Sequence, residues 1–166
     1  MLLWCVFTWP EDVRLALMQN YLSMPAGECG MLVGILPEMM KKCEELGVWV
    51  THAFRYTDFM ATHSAVNSDG SHSPQMSFLV TDLQERLEQV AADAEEATTQ
   101  LLAVHVPGVR NTGADNLSRG KANIALFLKE LAEGSELQPI EIRFPERAFN
   151  LMREVMQYPQ GVRGSQ

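Results

Sequence analysis

Apolar, aromatic and β-branched residues crowd positions 2–9, and that run predicts a strand. Pro10-Glu11-Asp12 then opens a helical pattern, with Val13, Leu15, Ala16, Leu17, Met18 and Leu22 on its apolar face. Pro25-Ala26-Gly27 is expected to break it. Residues 28–46 read as a second helix, which Pro37 should kink or split. Gly47 ends that helix, and residues 48–57 form the strongest strand pattern in the chain. A short helical segment follows near 60–66, then a loop over 68–74. Residues 75–98 predict a long amphipathic helix with Phe78, Leu79, Leu83, Leu87 and Val90 inward. A strand over 101–106 stops at Pro107-Gly108. Helical patterns recur from Ala114 and over 121–133, an extended piece over 140–144, and a helix over 146–157.

This alternation predicts an α/β layer fold. The 48–57 and 101–106 strands should be parallel, joined by a right-handed crossover through the 75–98 helix. A length of 166 residues and 46% hydrophobic composition suit one domain with a sizeable core. The net charge of −8 argues against tight, autonomous nucleic-acid binding, because phosphate contacts need Lys and Arg. It is compatible with a metal site, whose carboxylates add negative charge. Cys5, Cys29 and Cys43 have no paired or zinc-type spacing and read as reduced thiols of an intracellular protein. The apolar start is too short to span a bilayer and lacks a basic leader, so no membrane partner is expected. The Met39-Met40 and Met152/Met156 positions read as core packing.

The candidate chemistry lies in His105-Val-Pro-Gly-Val-Arg-Asn-Thr-Gly-Ala-Asp-Asn-Leu-Ser-Arg119. This block resembles the C-terminal signature of retroelement ribonuclease H domains, H-[IV]-P-G-x-x-N-x-x-A-D-x-L-S-R, and fills every fixed position of it. Upstream, Tyr56-Thr57-Asp58 and Gly70-Ser-His-Ser-Pro74 are similar to the family's T-D-N-x-A and G-x-S-x-S-P blocks, with Phe59 where Asn is usual. Glu28, ahead of Met31–Leu36, stands where the family has the Glu of its first helix. The resemblance spans roughly residues 1–120, most closely in the two blocks.

The resemblance implies a ribonuclease H-like α/β fold, a partial mixed sheet flanked by helices, with further C-terminal helices. Residues 1–120 would form that domain, 121–158 a helical extension and 159–166 a disordered tail. It implies hydrolysis of RNA in an RNA–DNA hybrid by two Mg²⁺ or Mn²⁺ ions, and an ancestral partner in the reverse transcriptase polymerase domain. Glu28, Asp58 and Asp115 are the implied catalytic and metal-binding carboxylates. Magnesium favours such oxygen donors, and the metals would activate water and stabilise the leaving oxygen.

Chain lengths bear on which Glu takes part. A helix from Glu28 to Leu46 runs roughly 27 Å, and a strand from Val48 to Asp58 returns roughly 33 Å. The two nearly cancel, which brings Glu28 towards Asp58. From Glu38 the helix covers only about 12 Å, so Glu38 is the alternative. His105 reads as a strand-end residue bonded locally. His72 lies where related enzymes place a mobile polar residue. Asp58 and Asp115 each have plainer roles available, as a strand-end and a helix-start residue.

The pattern also departs from the family. One strand precedes Glu28 where the family has three, and residues 2–9 hold no acidic residue. Glu11 and Asp12 are better explained by helix capping. The chain therefore reads as beginning at the family's third strand, without the first catalytic Asp, and two-metal cleavage is expected to be crippled. The edge over Leu2–Trp9 is expected to invite partner strands. The reading from another class is a non-catalytic interaction or structural protein derived from a retroelement fragment.

Overall fold

Ser23, Ser73 and three left-handed residues set the helix boundaries in the computed structural model, which describes residues 2–57, 73–106 and 139–159. Among these residues the order is β1 (Leu2–Trp4), α1 (Glu11–Met18), α2 (Met24–Glu45), β2 (His52–Thr57), α3 (Pro74–Asp93), β3 (Gln100–His105), β4 (Pro139–Glu141) and α4 (Glu146–Val155). The protein is mixed α/β, and none of these helices is long and apolar enough to cross a membrane. The expected segments near 60–66, 114–133 and 160–166 lie outside the described residues, as do His72, Asp58 and Asp115.

Pro25-Ala26-Gly27 does not break a helix; it lies in the first turns of α2. The Ser23 hydroxyl accepts the Ala26 amide at 3.1 Å, and proline is suited to a first turn, where its missing N–H has no helical acceptor. The chain reverses earlier, at Gln19–Leu22. Asn20 takes φ 61°, while Tyr21 N–H donates to the Ala16 carbonyl at 2.8 Å. The same closure recurs after α2, where Gly47 has φ +79° and Val48 N–H reaches the Cys43 carbonyl. It recurs after α3 at Glu95, φ 56°, with Glu96 N–H on the Ala91 carbonyl. That stop ends α3 at Asp93, short of the expected residue 98.

Pro37 does not split α2 either. A proline at 37 leaves the Val33 carbonyl without its usual amide donor. Arg147 of α4 supplies the replacement: its Nη2 donates to the Val33 carbonyl at 3.3 Å and to the Gly34 carbonyl at 3.4 Å. Burial, and next the nearby Arg86, pull the Arg147 guanidinium below its ordinary pKa.

The described strands form two separate two-stranded parallel sheets, where one partial mixed sheet was expected. β2 and β3 are parallel as expected, in register from His52↔Gln100 to Thr57↔His105. The approach to β2 is pinned before the ladder begins. Trp49 Nε1 donates to the Ala97 carbonyl at 3.1 Å, and the Thr99 hydroxyl to the Val50 carbonyl at 2.7 Å. β1 covers only three residues and pairs with β4, Leu3 opposite Ile140, which occupies one of its edges. Beyond Trp4 the chain is spent on an aromatic cluster instead: Phe7 stacks on Phe144 with centroids 3.6 Å apart, and Trp9 meets Phe144 edge-on.

One apolar core joins the helices. Leu22, Met76, Leu79, Leu83, Met152, Val33 and Val155 are among its fully buried members. Within the 121–158 extension, α4 thus packs into the same core as α1, α2 and α3, while β4 pairs with β1. Buried Gln75 stitches three segments, donating to the Tyr21 carbonyl at 2.8 Å and the Tyr158 carbonyl at 3.0 Å and accepting from Ser23 N–H at 3.4 Å. Each bond satisfies a backbone group where chain segments converge, which makes a buried amide tolerable.

Candidate functional site

β-strand alternation sets which side chains of the β2–β3 sheet face α2. Ala53 and Arg55 share one side of β2 with Leu101 and Ala103 of β3, and these are half-buried or buried. Phe54 and Tyr56 point the other way, 58% and 59% exposed, beside exposed Leu102. Arg55 therefore meets α2. Its Nη2 lies 3.0 Å from the Glu28 Oε1, and the Glu28 side chain is only 9% exposed. The Arg55 Nε is buried with no hydrogen-bond partner.

Glu28 thus sits beside the C-terminal half of β2, against a residue three positions before Asp58. Glu38 stands elsewhere on the helix, 3.6 Å from Arg147 of α4 and 3.5 Å from Lys41. Thr57 and His105 are register partners. The Thr57-Asp58 block and the His105–Arg119 block consequently leave the sheet from neighbouring strand ends, the side at which open α/β sheets present their sites. His105 is exposed at the end of β3.

Below the ion pair an apolar cleft of about 250 Å³ opens between the Cys5–Phe7 segment, α2 and β2. Met31, Ile35, Met39 and Phe54 line it, and among the described residues Arg55 is its one charged lining residue. A second cleft, about 370 Å³, lies between α3 and the Thr98–Leu101 segment and carries no cluster of titratable groups.

A divalent-metal site needs several oxygen donors converging on one cation. Among the described residues no group of three or more His, Cys, Asp or Glu is placed to hold a metal ion. Glu28 is the one implied ligand among them, and its Oε1 already accepts from a guanidinium. The Arg55 guanidinium at 3.0 Å is a counter-charge to one of the two Glu28 carboxylate oxygens. Arg55 is the residue that sequence reasoning missed. Its signal was available: a charged residue on the inward side of an otherwise apolar strand is rarely left unpaired.

Cys29, next to Glu28, is fully buried, and its thiol is pushed up to about 12, first by burial and then by the Glu28 charge. Such a thiol is inert, since the thiolate is the reactive form. Brief alkylation of the native protein at pH 8 should leave Cys29 unmodified, and denaturant should expose it. Rapid native labelling, read by peptide mass spectrometry, would contradict the packing around α2. The folded state also keeps this proton where the unfolded thiol loses it. Stability should therefore fall as pH rises from about 9 towards 12.

Comparison with family models, curated proteins and solved structures returns no match. At this level the class is a mixed α/β protein with small parallel sheets and a part-buried Glu–Arg pair beside the β2 strand.

Proposed function

We propose that the chain is a ribonuclease H-like domain derived from a retroelement, in which ancestral magnesium-dependent cleavage of RNA–DNA hybrids is impaired. The observation that carries this reading is the pairing of Thr57 with His105. It brings the starts of the two motif blocks, with Asp58 and Asp115 in their sequences, to adjacent strand ends. Glu28 stands on the neighbouring helix at the same half of β2. The impaired reading draws on the Arg55 guanidinium, which lies 3.0 Å from the Glu28 carboxylate. The ancestral substrate is the hybrid, met inside the cell beside a reverse transcriptase polymerase domain, and the net charge of −8 leaves the chain a poor autonomous binder of it.

A labelled RNA–DNA hybrid incubated with the protein and Mg²⁺ should show no cleavage above the protein-free control. Robust cleavage that disappears in Asp58→Asn would show that the site still works. A second reading, a non-catalytic interaction protein of the same origin, draws on the exposed Phe54, Tyr56 and Leu102 on one face of the β2–β3 sheet. Parallel sheets ordinarily have both faces covered.

A further inference from the structure

We infer that the apolar cleft between the Cys5–Phe7 segment, α2 and β2 is a binding site for a small amphiphile, a short apolar chain that ends in an uncharged carbonyl. It does not depend on the nuclease ancestry. Helical periodicity builds one wall of the cleft. Met31, Ile35 and Met39 recur at every fourth residue of α2 and stay half-buried, whereas Val33 and Met40 are buried in the core. Their stripe is about 12 Å long at the rise of an α-helix. Ala53, Phe54 and Leu101 close the cleft from the sheet side. Its volume of about 250 Å³ suits a short chain rather than a large cofactor. The two methionines of the wall have flexible thioethers that adapt to an apolar guest.

Arg55 sets the polar end. Glu28 precedes Met31 by about one helical turn, so its contact with Arg55 places the guanidinium at that end of the stripe. A guanidinium carries several N–H donors. Nη2 donates to Glu28, while Nε is buried with no acceptor. A buried donor left unmade costs more than a made bond ordinarily gains, so a guest that brings an acceptor to this end is favoured. Charge decides the kind of acceptor. Glu28, 9% exposed, already balances Arg55, and the chain carries −8 overall. A guest carboxylate would face Glu28 across the same guanidinium, and like charges so placed repel. A carbonyl accepts the hydrogen bond without that cost.

The test is methionine-methyl NMR on the full chain, titrated with octanamide or octanoate, with the Met31 and Met39 signals assigned through Met31→Leu and Met39→Leu. Octanamide should shift both signals in a saturable way and leave buried Met76 and Met152 in place. Octanoate should bind more weakly. Arg55→Lys keeps a cation beside Glu28 but has no Nε donor, and it should weaken octanamide about tenfold, the share of one hydrogen bond to a charged group. Ile35→Trp fills the cleft and should abolish the shifts. Ala53→Leu fills it from the sheet side and gives the same reading if Ile35→Trp does not fold. No saturable shift at Met31 and Met39, or equal shifts at Met76 and Met152, overturns the site. Octanoate binding as tightly as octanamide overturns the uncharged head group, and undiminished binding by Arg55→Lys overturns the assignment of Arg55 as its donor.

Discussion

Gly34→Val should lower the unfolding free energy by about 3 kcal/mol, the upper part of the usual cost of overpacking a core. A Cβ at Gly34 would lie 2.5 Å from the Phe144 ring and 3.0 Å from the Ala148 methyl. Replacing glycine inside a helix normally gains up to about 1 kcal/mol in propensity. Here the collision wins, because Phe144 has nowhere to go. It is 7% exposed, stacked on Phe7 and held edge-on by Trp9. Moving it displaces several rings and the contact between α2 and α4. Urea unfolding followed by circular dichroism measures the change. The double variant Gly34→Val/Phe144→Leu should recover part of the loss, as residues in direct contact are not additive. A Gly34→Val protein as stable as the wild type would mean that α4 does not seat on α2 at this glycine. Gly30 serves the same approach one turn earlier, where an added Cβ would collide with Met152.

Arg147→Met should cost about 2–3 kcal/mol, and Pro37→Ala should restore much of it. The methionine keeps the apolar stem but removes the donor to the Val33 and Gly34 carbonyls. Val33 is fully buried, so its carbonyl would be left without the partner that the proline already denies it. Alanine at 37 brings back the amide that the helix ordinarily supplies. The double-mutant cycle is the measurement. A coupling energy near zero would show that Arg147 acts only through its ion pair with Glu38, 3.6 Å away.

Much of the fold could be read in the sequence because it is local. The apolar periodicity of residues 75–93, the β-branched and aromatic run of β2, and the stop at Gly47 each depend on near neighbours in the chain. Gly47 and Asn20 also carry the residue types that favour a left-handed helix end. Glu95 adopts the same geometry without that signature, so the end of α3 was misjudged. Proline misled in α2: Pro25 was taken for a breaker although Ser23 makes it a first-turn residue, and at Pro37, expected to kink or split the helix, α2 runs on as one element whose Val33 carbonyl accepts from a side chain 110 positions beyond the proline.

For the candidate site, the sequence by itself determined the motif blocks, the residue types Glu28, Asp58 and Asp115, and the strands that carry the first residues of each block. It even bounded the reach of Glu28, since helix rise and strand rise are fixed lengths. Only the tertiary structure decided that β1 pairs with β4 rather than joining the β2–β3 sheet, that Arg147 bridges the gap at Pro37, and that Arg55 turns inward onto Glu28. Those contacts join residues 137, 114 and 27 positions apart. Local patterning encodes a helix or a strand in a few neighbouring residues. The partner of a buried charge or an orphaned carbonyl is set by where distant segments pack, and that is a property of the assembled core.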